Sequence, residues 1–209
     1  MEKINLFCFG FGQVAMSFVK LLKYKKVNFN LTSTSTSKTE KKTFENIEYQ
    51  NFLFNEKNFD ENLNKKLEEA NYVLVSIPPV NDQDIVIKNF ENKLINENIK
   101  WVTYLSSTSV YGNHDGEWVN EKSRTNPTSI NGINRLKAEK SWINLYNKSN
   151  SPVQIFRLSG IYSNDFNILN RLKSGDAKII KKKNQFFSRI HIEDIAKVLF
   201  LSIKNFKKG

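Results

Sequence analysis

The spacing of hydrophobic and polar residues predicts strands that alternate with helices along the chain. Short apolar runs bounded by turn residues indicate strands, and apolar residues three or four apart indicate helices. The predicted strands are residues 4–9, 27–31, 47–54, 72–77, 101–105 and 153–158. The predicted helices are residues 13–22, 61–70, 84–96, 133–146 and, for the most part, 190–203. This alternation predicts an α/β fold with a doubly wound, mostly parallel sheet covered by helices on both faces.

Two boundaries follow from residue type. Residues 32–38 read TSTSTSK, and we predict that they form the polar loop that ends the second strand. Pro78 and Pro79 end the strand at 72–77, because proline cannot donate a ladder hydrogen bond and cannot continue a central strand.

Length and composition indicate one globular domain over residues 1–209. A chain of 209 residues with 39% hydrophobic content can bury one good core and is short for two domains with a linker. Cys8 is the single cysteine, so no internal disulfide can form. We expect Cys8 to be a small core residue and the protein to lie in the reducing cytoplasm. No apolar run approaches the roughly 18 residues that indicate a membrane span.

The positive charge is concentrated toward the C-terminus. Residues 166–209 carry 11 Lys/Arg and 3 Asp/Glu, a net charge of +8 out of the total of +11. Such a tail can steer a protein toward polyanions, but no nucleic-acid-binding motif accompanies it. We therefore do not expect a nucleic-acid partner, and we interpret Lys181, Lys182 and Lys183 as part of a solvated loop.

A glycine motif follows the first predicted strand and opens the first predicted helix. Residues 10–15 read GFGQVA, which has the form G-x-G-x-x-A. In this form Gly10 permits a tight turn, Gly12 lets a pyrophosphate approach the backbone, and Ala15 keeps helix and strand close. Free N–H groups and the helix dipole then attract phosphate. The strand–turn–helix frame predicts a dinucleotide site, and the alternative is a tight turn without a ligand.

The residues that would meet the adenosine ribose carry hydroxyls and no carboxylate. NAD-selective Rossmann domains place an acidic residue about 20 residues beyond the glycines, where it binds the ribose 2′-hydroxyl. Here the first acidic residue after the glycines is Glu40. Thr34, its neighbouring hydroxyls and Lys38 favour the 2′-phosphate of NADP. NAD stays open as the alternative, since a Ser/Thr run is also typical of a solvated turn.

Four further segments complete a family resemblance. They are residues 104–112 (YLSSTSVYG), 131–139 (NGINRLKAE), 157–162 (RLSGIY) and 189–196 (RIHIEDIA). Together with the glycine motif, they make the chain resemble an atypical extended short-chain dehydrogenase/reductase of the NAD-dependent epimerase/dehydratase kind. The resemblance implies a Rossmann-type NAD(P)-binding domain that acts on a carbonyl or secondary alcohol, for example in a nucleotide-linked sugar.

The resemblance breaks at the acid/base pair. Ser107 matches the loop hydroxyl that binds the reacting group in the family. Asn131 and Arg135 stand where the family has Tyr and Lys one helical turn apart, a pair that holds the phenol near ionisation. Asn cannot ionise, so the usual acid/base is absent, although Asn131 can orient a carbonyl and Arg135 can bind the ribose or a phosphate. Tyr111 in the neighbouring loop is an alternative acid, although a Tyr at this position in the family is ordinary and mostly structural.

The resemblance thus implies candidate catalytic residues Ser107, Asn131 and Arg135, and no metal site is predicted. The candidate cofactor-binding residues lie in the glycine motif, at two strand ends and in the loop beside the nicotinamide: Gly10, Gly12, Gln13, Val14, Ala15, Thr34, Ser76, Pro78, Ser159, Gly160 and Ile161.

Two functions stay open on these residues. One is an NAD(P)-dependent oxidoreductase or epimerase/dehydratase-like enzyme, and the other is a non-catalytic dinucleotide-binding sensor or scaffold. The expected partner is a small molecule, a membrane is not expected, and a homodimer is left open. Extended family members continue past the segment at 189–196, so the resemblance implies a C-terminal substrate region that is short or truncated.

Other residues of chemically active types are interpreted as structural. His114 lies in a predicted solvated turn, and His191 is expected to anchor a loop to the start of a helix. Trp101, Trp118 and Trp142 are better explained by core and loop packing than by base stacking.

Overall fold

The structure is a computed structural model that describes residues 2–165, 167–178 and 186–206. The strands are β1 Ile4–Phe9, β2 Phe29–Ser35, β3 Glu40–Phe44, β4 Ile47–Leu53, β5 Tyr72–Val75, β6 Trp101–Ser107, β7 Val153–Leu158, β8 Gly160–Tyr162 and β9 Arg189–His191. The helices are α1 Gln13–Tyr24, α2 Asn62–Glu68, α3 Ile85–Phe90, α4 Ile130–Ser149, α5 Ile168–Lys173 and α6 Ile192–Lys204. Two short 3₁₀ turns cover Glu91–Lys93 and Thr108–Val110.

One seven-stranded sheet organises the molecule, in the order β3-β4-β2-β1-β5-β6-β7. All neighbouring pairs are parallel except β3 with β4. The chain winds outward from β1 in one direction through β2 and β4, and then in the other through β5, β6 and β7. The switch of direction therefore lies between β1 and β5, and a crevice at their carboxyl ends is where ligands of such sheets bind. The predicted doubly wound, mostly parallel sheet is confirmed.

Helices cover both faces of the sheet, as predicted. On one face α1 and α6 bury Phe18, Leu22 and Leu199 against β1 and β6. On the other face α2, α3 and α4 bury Leu67 and Trp142, among others. Cys8 is fully buried, in accord with its interpretation as a core residue. No helix within the described residues is long and apolar enough to cross a bilayer.

The second strand continues into the Ser/Thr run, so the loop predicted at 32–38 starts too early. β2 extends to Ser35, because the hydroxyls that suggested a loop find partners inside the fold. The Ser33 hydroxyl donates to Asn51 Oδ1 at 2.9 Å, and Thr34 Oγ1 accepts from the Gly10 N–H at 2.9 Å. Satisfied hydroxyls of this kind can be buried at little cost.

Four elements were not predicted, namely β3, β8, α5 and β9. β3 reads EKKTF and has no buried residue, so it shows none of the apolar alternation that indicates a strand. β8 has three residues, and α5 buries none of its six. β8 and β9 are too short to show a period, and α5 has three apolar residues, Ile168, Leu169 and Leu172, but spans less than two turns.

The tryptophans and His191 differ in how far they meet expectation. Trp118 is fully exposed, with 101% relative accessibility, so its interpretation as a packing residue is wrong, whereas Trp101 and Trp142 are buried as predicted. His191 caps α6 as expected, since its Nδ1 accepts from the Glu193 N–H at 3.4 Å. The prediction for Lys181, Lys182 and Lys183 lies outside the described residues.

Candidate functional site

Gly10 forms the tight turn that was predicted at the end of β1. Its φ is +83°, and a Cβ at this position would lie 2.6 Å from Ile77 Cγ2. The Ser76 hydroxyl lies within 3.1 Å of the carbonyl oxygens of Phe9 and Gly10 and donates to them. Position 10 therefore requires glycine for two reasons. Other residues rarely adopt this φ, and the residues after β5 leave no room for a Cβ.

Gly12 is a glycine for a different reason. It precedes α1 with φ −86° and ψ −171°, which any residue can adopt, and a Cβ built on it has no atom within 4 Å. Nothing in the described part of the chain demands a missing side chain here. The open space lies at the start of α1, where N–H groups are left without intrahelical partners.

The remaining residues of the motif present backbone, not side chains. Val14 and Ala15 bury their side chains against β1 and its neighbours. Gln13 Oε1 is buried and has no hydrogen-bond partner among the described residues. Among the residues that the structure describes, no side chain accepts a hydrogen bond from the backbone N–H groups in the first turn of α1. The free N–H groups and the helix dipole make this turn a favourable place for an anion.

The end of β2 lies directly beside the glycine turn. Thr34 is 2% exposed and its hydroxyl holds Gly10, so it lies beneath the turn and not on the open side. The exposed residues of the strand end are Thr36, Ser37 and Lys38. Asn51, which is buried, donates from Nδ2 to Ser35 Oγ at 2.8 Å and to the Lys38 carbonyl at 3.1 Å. These bonds connect the loop after β2 to β4.

Ser107 ends β6 and caps the 3₁₀ turn that follows. Its Oγ accepts from the Ser109 N–H at 3.2 Å, so its own hydroxyl hydrogen is free to be donated. The preceding Ser106 is buried, and its Oγ has no partner in the described chain. Gly132 lets α4 come close to this loop, since a Cβ there would lie 2.6 Å from the Ser109 carbonyl oxygen.

Asn131 and Arg135 occupy the first turns of α4 but differ in exposure. Asn131 is exposed. Arg135 points toward the sheet, where Nη1 donates to the Leu105 carbonyl at 2.7 Å and to the Tyr104 hydroxyl at 3.2 Å. Burial raises the pKa of Tyr104 to about 12, although the Arg135 charge opposes this shift. Arg135 thus joins α4 to the end of β6 through a neutral phenol.

A buried ion pair lies one turn further along α4. Arg157 of β7 donates to the Glu139 carboxylate from Nε at 3.1 Å and from Nη2 at 2.8 Å. The Glu139 side chain is 1% exposed and that of Arg157 20%. Hydrogen bonding to Glu139 raises the pKa of Arg157 above its usual range. The Arg157 guanidinium carbon also lies 4.9 Å from the ring centroid of Tyr111, so Tyr111 belongs to a packed cluster.

The other candidate residues lie further along the carboxyl edge. Pro78 is exposed just beyond β5. Ser159 joins β7 to β8, Gly160 and Ile161 begin β8, and the Gly160 N–H donates to the Ser188 carbonyl at 3.2 Å. A Cβ at Gly160 would overlap the Arg189 guanidinium. The structure therefore brings the glycine turn, Thr34 and Ser76 together, and it leaves the stretch at 159–161 beyond β6, at the end of β7.

A large recess of about 1520 Å³ lies elsewhere, between the loop after β6, the outer side of β7 and α6. Tyr111, His114 and Arg157 line it, but none of the candidate catalytic or cofactor-binding residues does. Its volume exceeds the roughly 300–1,000 Å³ of ordinary small-molecule pockets. The candidate dinucleotide site is therefore defined by backbone groups at the glycine turn and not by this recess.

Two contacts near the site were not predicted from the sequence. Asn51 lies in a segment predicted as a strand, and Glu139 ends the motif at 131–139, but the motif does not name its partner. The signal for Glu139 is its position four residues after Arg135, on a helix face that also carries the buried Ala138 and Trp142. A charged residue on such a face needs a partner, but the sequence does not say that the partner is Arg157.

Solved structures show what this arrangement resembles, whereas no protein-family model and no curated protein matches the chain. A functionally unknown conserved protein from Silicibacter pomeroyi DSS is 29% identical, with a TM-score of 0.80 over 98% of this chain and 70% of that one. UDP-N-acetylglucosamine 4-epimerase from Methanobrevibacter ruminantium M1, solved with UDP-N-acetylmuramic acid, is 18% identical, with a TM-score of 0.76 over 100% and 76%.

UDP-glucuronic acid 4-epimerase from Bacillus cereus, in complex with UDP-glucuronic acid and NAD, is 16% identical. Its TM-score is 0.76, over 98% of this chain and 74% of that one. Structural neighbours of this chain thus include UDP-sugar epimerases, one of them with NAD bound. At these low identities the likeness establishes that the chain has the Rossmann-type fold of such epimerases.

Proposed function

We propose that this protein binds a nicotinamide dinucleotide at the glycine turn and acts as an oxidoreductase or epimerase/dehydratase-like enzyme on a carbonyl or secondary alcohol. The observation that carries the proposal is the open side of Gly12. A residue whose missing side chain is required by nothing in the described chain, at an uncapped helix start, is what the approach of a diphosphate to the backbone demands.

The assignments along the carboxyl edge follow the order of the strands. The backbone N–H groups of residues 10–15, including that of Gln13, would hold the pyrophosphate. The loop after β2 would meet the adenosine ribose, and its hydroxyls and Lys38 favour NADP over NAD. Ser76 and Pro78 would form the wall of the crevice, and the stretch at 159–161 would lie on the nicotinamide side.

The proposed chemistry assigns different tasks to the three candidate catalytic residues. The bound cofactor supplies or accepts a hydride. Ser107 can donate its free hydroxyl hydrogen to the substrate oxygen, because its lone pair already holds the Ser109 N–H. Asn131 exposes an amide that can orient a carbonyl but cannot take up or release a proton at neutral pH. Arg135 supports the end of β6 and contributes positive charge nearby.

A second candidate function is a dinucleotide-binding sensor or scaffold without turnover. The observation that favours it is the state of Arg135, whose Nη1 is bonded to the Leu105 carbonyl and the Tyr104 hydroxyl. With Asn131 beside it, the usual proton-transfer pair is replaced by one residue that does not ionise and one that is fixed to the sheet. The enzyme function, with a nucleotide sugar as substrate, is favoured instead by the nucleotide sugars bound to the structural neighbours.

The test is to titrate the purified protein with NADPH, NADH and their oxidised forms, and to assay in parallel net hydride transfer with simple carbonyl compounds and product formation from nucleotide sugars, because epimerisation and dehydration consume no cofactor. We expect saturable binding of at least one dinucleotide. Binding with turnover supports the enzyme, and binding without turnover across the substrates supports the sensor. If neither dinucleotide binds, both functions are wrong.

A further inference from the structure

Lys38 in the loop after β2 and two residues of β3, Glu40 and Lys42, form a compact group of charges beside the place where the adenosine ribose would lie in the proposed site. Lys38 Nζ lies 3.1 Å from Glu40 Oε2, and Lys42 Nζ lies 3.3 Å from Glu40 Oε1. One carboxylate is thus shared by two ammonium groups. Because both lysines bond to the charged carboxylate, the pKa of Glu40 is lowered.

The topology brings this group to the carboxyl edge of the sheet. β3 runs antiparallel to β4, so its first residue, Glu40, lies at the edge where the parallel strands end. Glu40 pairs with Asn51, and Asn51 pairs with Ser33 of β2. Glu40 is therefore two strands from β2, about 10 Å away, and the loop at 36–39 crosses this distance and brings Lys38 to Glu40.

The loop that presents Lys38 is held in place from below. The buried Asn51 donates to the Lys38 carbonyl and to Ser35 Oγ, and Thr39 Oγ1 accepts from the Leu53 N–H at 3.0 Å. The β2 end is in turn bonded to the glycine turn through Thr34 and Gly10. The ammonium of Lys38, by contrast, is largely exposed, with a 73% accessible side chain.

We propose that Glu40 sets the selectivity of the dinucleotide site between NADPH and NADH, by engaging the two ammonium groups that a 2′-phosphate would otherwise contact. The proposal rests on the proposed dinucleotide function. A phosphate dianion needs uncompensated positive charge nearby, and Glu40 reduces the local charge from +2 to +1. Glu40 thus limits the preference for the phosphorylated cofactor without touching a bare 2′-hydroxyl.

The experiment compares Glu40→Gln with Glu45→Gln in the full chain. Both changes remove one negative charge from the β3–β4 hairpin, but Glu45 lies at its opposite end, paired with Lys20 at 3.2 Å. NADPH and NADH dissociation constants are measured at low and high ionic strength, with adenosine 2′,5′-bisphosphate as a competitor. Lys38→Gln serves as the converse variant.

We expect Glu40→Gln to tighten NADPH and adenosine 2′,5′-bisphosphate binding by about fivefold, in keeping with the strength of exposed charge pairs. NADH binding should be unchanged, and the gain should shrink at high ionic strength. Lys38→Gln should weaken NADPH binding, and Glu45→Gln should leave the NADPH/NADH ratio as it is.

The outcomes separate this proposal from the proposed function. If the wild-type protein binds dinucleotides but Glu40→Gln leaves the NADPH/NADH ratio unchanged, the role of Glu40 is rejected and dinucleotide binding stands. The same holds if Glu45→Gln shifts the ratio equally, because general charge steering would then be the cause. If the wild-type protein binds no dinucleotide, both proposals fall.

Discussion

The two halves of the carboxyl edge of the sheet offer different parts of the chain to a ligand. Beside β1 and β2, the groups offered are backbone N–H groups, positioned by Gly10 and left accessible by Gly12. Beside β6 and β7, the polar groups are side chains, and Arg135, Glu139 and Arg157 are already bonded within the protein. Backbone binding depends on conformation and space, whereas proton transfer depends on particular ionisable groups. Dinucleotide binding can therefore persist where the usual acid/base pair is absent.

The largest effect is expected in the half built from side chains. Glu139→Ala leaves the Arg157 guanidinium without its carboxylate in a mostly buried position. Breaking a buried ion pair in this way costs about 3 kcal/mol of the free energy of unfolding, which chemical denaturation would measure. The matched change Glu69→Ala breaks an exposed pair with Lys66 and should leave stability almost unchanged. Similar small losses in both variants would show that the buried pair does not hold α4 to β7.

The next effect is expected in the backbone half and concerns binding. Gly12→Val places a side chain in the open space at the start of α1, where the phosphates would approach. The φ and ψ of Gly12 suit valine, so the melting temperature should change little. NADPH affinity should fall by about thirtyfold, or ~2 kcal/mol, as measured by titration.

Gly10→Ala is the control for this variant, because it reverses the pattern. Its φ of +83° and the short distance to Ile77 Cγ2 predict a loss of stability of about 2 kcal/mol. Equal affinity of wild type and Gly12→Val for NADPH would place the phosphates elsewhere and remove the contrast between the two glycines.

A smaller effect should distinguish binding from chemistry. Asn131 is exposed, so Asn131→Ala should change the free energy of unfolding by less than about 0.5 kcal/mol and leave NADPH affinity unchanged. If Asn131 orients the substrate carbonyl, kcat for any substrate found in the screen should fall by about tenfold. Unchanged turnover in this variant would take Asn131 out of the reacting half of the site.

The smallest effect concerns pH. Asp84 caps α3, accepts from Trp142 Nε1 at 2.8 Å and is buried. Burial raises its pKa above the usual 3.8, although these hydrogen bonds oppose the shift. A raised folded-state pKa gives stability that is present below the unfolded pKa and is lost as pH rises through the folded pKa.

The melting temperature of the wild-type protein, relative to that of Asp84→Asn, should therefore fall as pH rises above about 4. Taking the difference between the two proteins removes the contributions of the other carboxylates. A rise of this difference over the same range would mean that the Trp142 hydrogen bond outweighs burial.

The alternation of apolar runs was enough to predict the order of strands and helices, because burial on both sheet faces leaves a strong periodic signal. It failed at the end of β2, where Ser33 and Thr34 are buried through hydrogen bonds to Asn51 and Gly10. Such partners lie 18 and 24 residues away, so composition alone indicates a loop. It also failed at β3, an edge strand with no fully buried side chain and three charged residues among its five.

The candidate site was predictable to the extent that it depends on local geometry. The turn at Gly10 and the cap formed by His191 follow from short segments, and both were found. The engagement of Arg135 with Tyr104 and of Glu139 with Arg157 depends on how α4 is seated on β6 and β7, over separations of 31 and 18 residues. Motif spacing within one segment cannot contain that information.

Phe11, the residue between the two glycines, packs edge-on against Phe44 at 5.3 Å and tilted against Tyr49 at 5.1 Å, measured between ring centroids. These aromatic contacts therefore connect the glycine turn to the β3–β4 hairpin. Opening the turn requires this ring to leave its neighbours, so amide hydrogens in the turn and in the hairpin should exchange with solvent in one shared event. A change that destabilises the hairpin would then also destabilise the start of α1, without any change to Gly10 or Gly12.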